Sequence, residues 1–137
     1  MTDQDAVLAA NAAFYVAFAR GDFAAMQALW AQDAPVACVH PGWPPLQDRA
    51  KIMQSWQGIL ANPPRPPIVA LEPQVQLYGE TALVICWEAI GAMHLVATNV
   101  FVRERGAWRM VMHQSGQTAH VPKGATPPPS SPQPTVH

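Results

Sequence analysis

Residues 81–115 read TALVICWEAIGAMHLVATNVFVRERGAWRMVMHQS. Three runs rich in β-branched and aromatic residues, 81–90, 93–103 and 107–115, are split by the tight turns Gly91-Ala92 and Arg105-Gly106. Two-residue connections between such runs predict β-hairpins, so this stretch is expected to form an antiparallel meander. The runs are apolar on both faces, which implies that both faces are covered. Helices can cover one face; a second chain is expected to cover the other.

Upstream of the meander the period changes. Thr2 and Asp5 have capping-box spacing, and Val7, Leu8, Phe14, Tyr15 and Phe18 then fall on one broad helical face that ends at Gly21. Asp22 is placed to cap a second helix carrying Phe23, Met26, Leu29 and Trp30. Val36–His40 alternates as a short strand ending at Pro41, and PGWPP makes a rigid loop. A third helix is expected over Asp48–Ala61, with Ile52, Met53, Trp56, Ile59 and Leu60 inward. Ile68–Leu77 contains Pro73 and reads as an edge or bulged strand. The expectation is an α+β cone in which three helices pack on a curved, mostly antiparallel sheet around a pocket. The domain is expected to span residues 1–118. Residues 119–137, rich in proline, are expected to be a flexible tail.

Composition narrows the function. The 137 residues carry 8 basic and 9 acidic side chains and no basic stripe, which argues against a nucleic-acid partner. An acidic amino terminus with no long apolar run gives neither an export signal nor a membrane span, and cytoplasm is the default expectation. Cys38 and Cys86 stand in no metal or redox spacing and read as buried small hydrophobes. Neither a dinucleotide or phosphate-binding loop nor a metalloprotease motif is present, so no cofactor and no metal are expected.

Two segments carry a family resemblance: FYVAFARGDFAAMQALWAQDAPVACVHPGW and GAWRMVMHQSG. Together with the element order they resemble the nuclear transport factor 2-like superfamily, in the SnoaL-like and ketosteroid isomerase-like branch. The resemblance spans about residues 5–116. It implies a cystatin-like cone, a pocket between the concave sheet face and the helices, and a homodimer joined through the outer sheet face. It does not fix the reaction, because one fold hosts many chemistries.

The resemblance also nominates residues. In ketosteroid isomerase a proton-shuttling carboxylate precedes a proline at the end of the short strand; here that place is His40-Pro41. An imidazole accepts a proton near neutrality, so His40 is the candidate general base, although histidine for carboxylate reverses the charge change. Tyr15 lies near the family's donor tyrosine, with Phe14 a competitor for that place. Counting back from Gly106 without gaps puts Thr98 near the family's oxyanion-donor carboxylate.

Strand parity sorts the remaining candidates. With two-residue turns and no bulge, Ile85, Trp87, Val96, Thr98, Val111, His113 and Ser115 share one face, taken as the pocket face. Cys86, Glu88, Ala97, Asn99, Met110, Met112 and Gln114 share the other. A single bulge mixes these sets and makes Asn99 and Glu88 pocket residues; otherwise they form a polar patch at the dimer interface. The expected catalytic set is His40, His113 and Tyr15. The expected substrate-binding set is Trp43, Trp56, Trp87, Thr98, Asn99, Val111 and Ser115. Each has a structural alternative: hydrogen-bonded core histidines, and aromatic residues packed as core. The expected substrate is a small apolar molecule handled by an isomerase, cyclase or dehydratase without a cofactor. The alternative is a binding or dimerisation module that does no chemistry.

Overall fold

The computed structural model describes residues 1–62, 66–120 and 122. Three helices, α1 (Asp3–Arg20), α2 (Phe23–Leu29) and α3 (Arg49–Ala61), accompany five strands. The strands are β1 (Ala37–Val39), β2 (Val69–Tyr78), β3 (Thr81–Ile90), β4 (Met93–Glu104) and β5 (Ala107–Gln117). They form one sheet in the order β1-β5-β4-β3-β2, with β1 parallel to β5 and the other neighbours antiparallel. The helices cover one face of this sheet, giving the expected α+β cone.

Local chemistry explains the element ends. Thr2 and Asp5 form a reciprocal capping box at the start of α1, and Gly21 closes the helix at φ 63°. Asp22 Oδ1 accepts from the Ala25 amide, so α2 begins after almost no loop. Trp30, expected within that helix, instead leaves it in extended backbone and bridges to Met110. Asp48 caps α3 through the Ala50 amide. Arg105 and Gly106 both adopt positive φ, 54° and 80°, the geometry that matches a two-residue turn to the twist of its strands. Strand β2 is an edge with a register shift between Leu71 and Gln74, around Pro73.

Both hairpin turns fall where the sequence predicts them, since Ile90 pairs Met93 and Glu104 pairs Ala107. Parity nonetheless fails in β5. Asn99 pairs His113 and Val100 pairs Met112, but Phe101 pairs Met110, so Val111 is an extra residue with no partner on β4. Below the bulge Trp108 and Met110 point inward; above it His113 and Ser115 do. The inner face therefore joins Cys86, Glu88, Ala97 and Asn99 to His113 and Ser115, all buried. Trp87 and Thr98 lie on the outer face beside Ile85, which is 44 % exposed. The core is built from Val7, Phe14, Met26, Trp30, Ile52 and Phe101 with their neighbours, and it sits between the helices and this inner face.

Among the described residues no helix is long and apolar enough to cross a membrane. Most of the proline-rich segment expected to be a tail, 121 and 123–137, lies outside the described residues.

Candidate functional site

A cavity of about 230 Å³ opens between α1, α3 and the inner sheet face. Most of its wall is apolar: Phe14, Phe18, Trp43, Trp56, Ile59, Ile68, Ile90 and Leu95. Five polar side chains reach it: Tyr15, His40, Glu88, His113 and Ser115.

His40 directly follows β1 and is 4 % exposed. The loop behind it is tied down by paired backbone bonds between Cys38 and Leu46, each 2.8 Å, and by the Trp43 amide donating to the His40 carbonyl at 2.9 Å. Ser55 on α3 gives its only proton to the Ile52 carbonyl, 2.6 Å away. Its oxygen must then accept from His40 Nε2 at 2.9 Å. Nε2 is thus the protonated nitrogen of His40, and Nδ1 keeps its lone pair. Burial lowers the His40 pKa to about 4, so the ring is neutral at pH 7. Trp56 stands edge-on to it with centroids 4.7 Å apart, and Trp43, 45 % exposed at the mouth, lies 4.8 Å away.

The second polar group is a directed chain on the sheet. His113 Nδ1 meets Asn99 Oδ1 at 2.6 Å and donates to it. Asn99 Nδ2 donates to Asn11 Oδ1 at 2.8 Å and to the Tyr15 oxygen at 3.2 Å. Tyr15 in turn donates to Glu88 Oε2 at 2.6 Å. The Ser115 hydroxyl also bonds the Glu88 carboxylate. Burial raises the Glu88 pKa, against the lowering effect of these two hydroxyls. Burial, then the Glu88 charge, pushes the Tyr15 phenol up, so it stays protonated. His113 is lowered to about 3, by burial first and by His40 second. Its Nε2 has no hydrogen-bond partner among the described residues, and its ring lines the cavity.

Topology sets the spacing of the two groups. His40 extends β1, and Glu88 lies on β3, three strand spacings across the sheet. At the backbone that is on the order of 14 Å, before the side chains reach inward. The two groups face each other across one space, which suits acid–base chemistry at two ends of a small molecule.

Of the expected site residues, Tyr15, His40, Trp43, Trp56, His113 and Ser115 line the cavity. Asn99 stands directly behind it, holding His113 and Tyr15. Trp87 and Thr98 do not belong to the site, because their strand positions alternate with those of Glu88 and Asn99 and point away from the helices. Val111 is the bulge residue and packs at the core margin instead of lining the cavity. Glu88, ambiguous in sequence, is the buried carboxylate of the site. Ser55 and Asn11 are site residues that sequence reasoning misses. A signal for them exists: each is a small polar residue inside an otherwise apolar helical stripe, with Asn11 between Val7 and Phe14 and Ser55 beside Ile52 and Trp56. No group of three metal-ligating side chains occurs among the described residues.

Comparison with known proteins places the fold. A solved structure from Streptomyces avermitilis, described as a proposed dehydratase of the nuclear transport factor 2-like family, is 33 % identical, with TM-score 0.78 over 85 % of this chain and 96 % of that one. A Thiobacillus denitrificans protein, described as a proposed calcium/calmodulin-dependent protein kinase II association domain, is 31 % identical, with TM-score 0.70 over 81 % and 94 %. A cystatin-like protein from Caulobacter vibrioides shares the fold at TM-score 0.76 and 15 % identity, over 84 % and 89 %. No curated protein matches the sequence. The SnoaL-like domain model matches residues 7–119, most of the chain, and the chain belongs to the SnoaL-like family of the nuclear transport factor 2-like superfamily.

Proposed function

We propose that the chain is an enzyme that moves protons on a small, largely apolar molecule, as an isomerase, cyclase or dehydratase, with acid–base chemistry supplied by its own side chains. One observation carries this reading: two separately anchored titratable groups, His40 and the Glu88–Tyr15–His113 chain, face one mostly apolar cavity. His40 Nδ1 is the general base. Its ring is neutral at pH 7, its other nitrogen is fixed by Ser55, and Trp56 holds its plane. Its depressed pKa makes it a weak base in the empty cavity, so a bound substrate must lend the imidazolium its stabilisation. The sheet chain orients the substrate and accepts or returns the second proton. The dehydratase description of the relative from Streptomyces avermitilis supports this class of reaction.

The test works whatever the product is. A panel of small cyclic ketones and hydroxyketones is incubated with the protein in D₂O, and loss of C–H signals is followed by proton NMR. Wild type is expected to exchange at least one carbon acid. His40→Ala is expected to slow that exchange about 10²–10⁴-fold, the usual worth of a positioned base. Exchange at the wild-type rate in His40→Ala removes His40 from the mechanism.

A second reading, a ligand-binding or dimerisation module without turnover, draws on the apolar outer face. Ile85 is 44 % exposed there and Trp87, Val96, Val100 and Met112 are half-buried. The association-domain description of the Thiobacillus denitrificans relative points the same way. A homodimer through that face is compatible with both readings.

A further inference from the structure

Glu88 is a buried carboxylate without a cation. It is 3 % exposed and faces the cavity, yet no lysine, arginine or histidine lies within ion-pair distance of it among the described residues. Its two partners are neutral hydroxyls, Tyr15 and Ser115. Neutral hydrogen bonds offset only part of the cost of burying a carboxylate, so a positive charge placed in the cavity would gain by its presence.

The directions of the hydrogen bonds point the same way. Tyr15 and Ser115 give their protons to Glu88. His40 gives its proton to Ser55, and His113 gives its proton to Asn99. What remains open to the cavity from Glu88 and His113 is therefore lone pairs, while His40 Nδ1 lies 4.0 Å from the Cys38 thiol. The indole nitrogen of Trp56 is buried without a partner, and Trp43 stands at the exposed mouth. An anion would meet the Glu88 charge and the His113 lone pair, whereas a neutral acceptor such as a ketone can still take the Trp56 indole proton.

The wall supplies a second attraction. Phe14, Phe18, Trp43 and Trp56 line the same space, and aromatic faces draw organic cations. A cavity of about 230 Å³ lies below the usual range for drug-sized ligands, so the ligand is small.

We propose that the cavity binds a small organic cation, an alkyl or aralkyl ammonium, with its charge paired to Glu88 and its apolar part against Phe14, Phe18 and Trp56. This names the substrate class of the site and rests on the reading of the cavity as the substrate site.

The test is an equilibrium one, using three probes of equal skeleton: cyclohexylammonium, cyclohexanol and cyclohexanecarboxylate. Binding to the full chain at pH 7 is measured by calorimetry or by ligand-observed NMR. The ammonium is expected to bind at least tenfold more tightly than the alcohol, and the carboxylate not to bind. In Glu88→Gln the ammonium is expected to lose that advantage while the alcohol still binds, which also reports that the cavity is intact. If Glu88→Gln does not fold, the wild-type ranking of the three probes decides alone. Equal affinity for ammonium and alcohol, a preference for the carboxylate, failure of all three to bind, or an ammonium preference that survives in Glu88→Gln overturns the proposal. None of these probes needs to react. Cation binding can therefore fail while deuterium exchange succeeds, or hold while exchange fails, and the two proposals stay separable.

Discussion

At the scale of single residues, the site is a set of groups held in uncharged or costly states by burial. His40 and His113 have folded pKa values near 4 and 3, below the ordinary value of 6.5. Between those values and 6.5 the unfolded chain binds more protons than the folded one, so stability falls as pH drops through this window. Each ring contributes a slope of up to about 1.4 kcal/mol per pH unit there. Glu88, raised by burial, acts in the opposite sense, because the folded chain holds its proton longer. The imidazoles are expected to dominate, giving a melting temperature that falls steeply from pH 6.5 to pH 4.5. His113→Gln, if it keeps the bond to Asn99, should flatten that fall. A thermal melt series in both proteins checks it; parallel curves would show that His113 titrates normally. His40 is legible in the sequence from its place before a proline at a strand end. The tautomers are not, since they depend on Ser55 and Asn99, and those partners meet the rings only through long-range packing.

At the scale of elements, the sequence specifies nearly everything except one residue count. Caps, turns and the edge character of β2 are local, and Thr2, Asp5, Gly21 and Pro73 announce them. The bulge at Val111 is different. No glycine or proline marks it, and it exists because Trp108, Met110, His113 and Ser115 must all face the helices, which strict alternation forbids. Parity counted through β5 therefore goes wrong above Met110 and nowhere else in the hairpins, which is why alternation alone puts Trp87 and Thr98 inside and Glu88 and Asn99 outside. The bulge is backbone length more than side chain. Val111→Ala removes a half-buried side chain and should cost about 1 kcal/mol. Deleting Val111 should cost more than about 4 kcal/mol, because either His113 and Ser115 or Trp108 and Met110 must turn outward. Urea unfolding of the two variants compares them directly, and a deletion variant as stable as Val111→Ala would mean that the sheet can slip without loss.

At the scale of the molecule, charge and surface are at odds unless another chain is present. Only 12 % of residues are charged, while the outer sheet face presents Ile85, Trp87, Val96, Val100 and Met112 side by side. Register makes this patch continuous: Ile85 pairs Thr98, Trp87 pairs Val96, and Val100 pairs Met112 across three neighbouring strands. Monomeric proteins seldom expose so contiguous an apolar surface, and a stable interface buries about 1,000 Å² or more in total. The partner we propose for it is a second copy, since one apolar face can meet its own copy about a two-fold axis. Sedimentation at micromolar concentration should then give twice the chain mass of 14.8 kDa. Ile85→Glu places two like charges near that axis and should shift the mass to a single chain. The variant leaves the cavity untouched, because Ile85 points away from the helices. Cyclohexanol affinity should therefore be the same in the monomeric variant, and a variant that stays dimeric would show that the chains meet elsewhere.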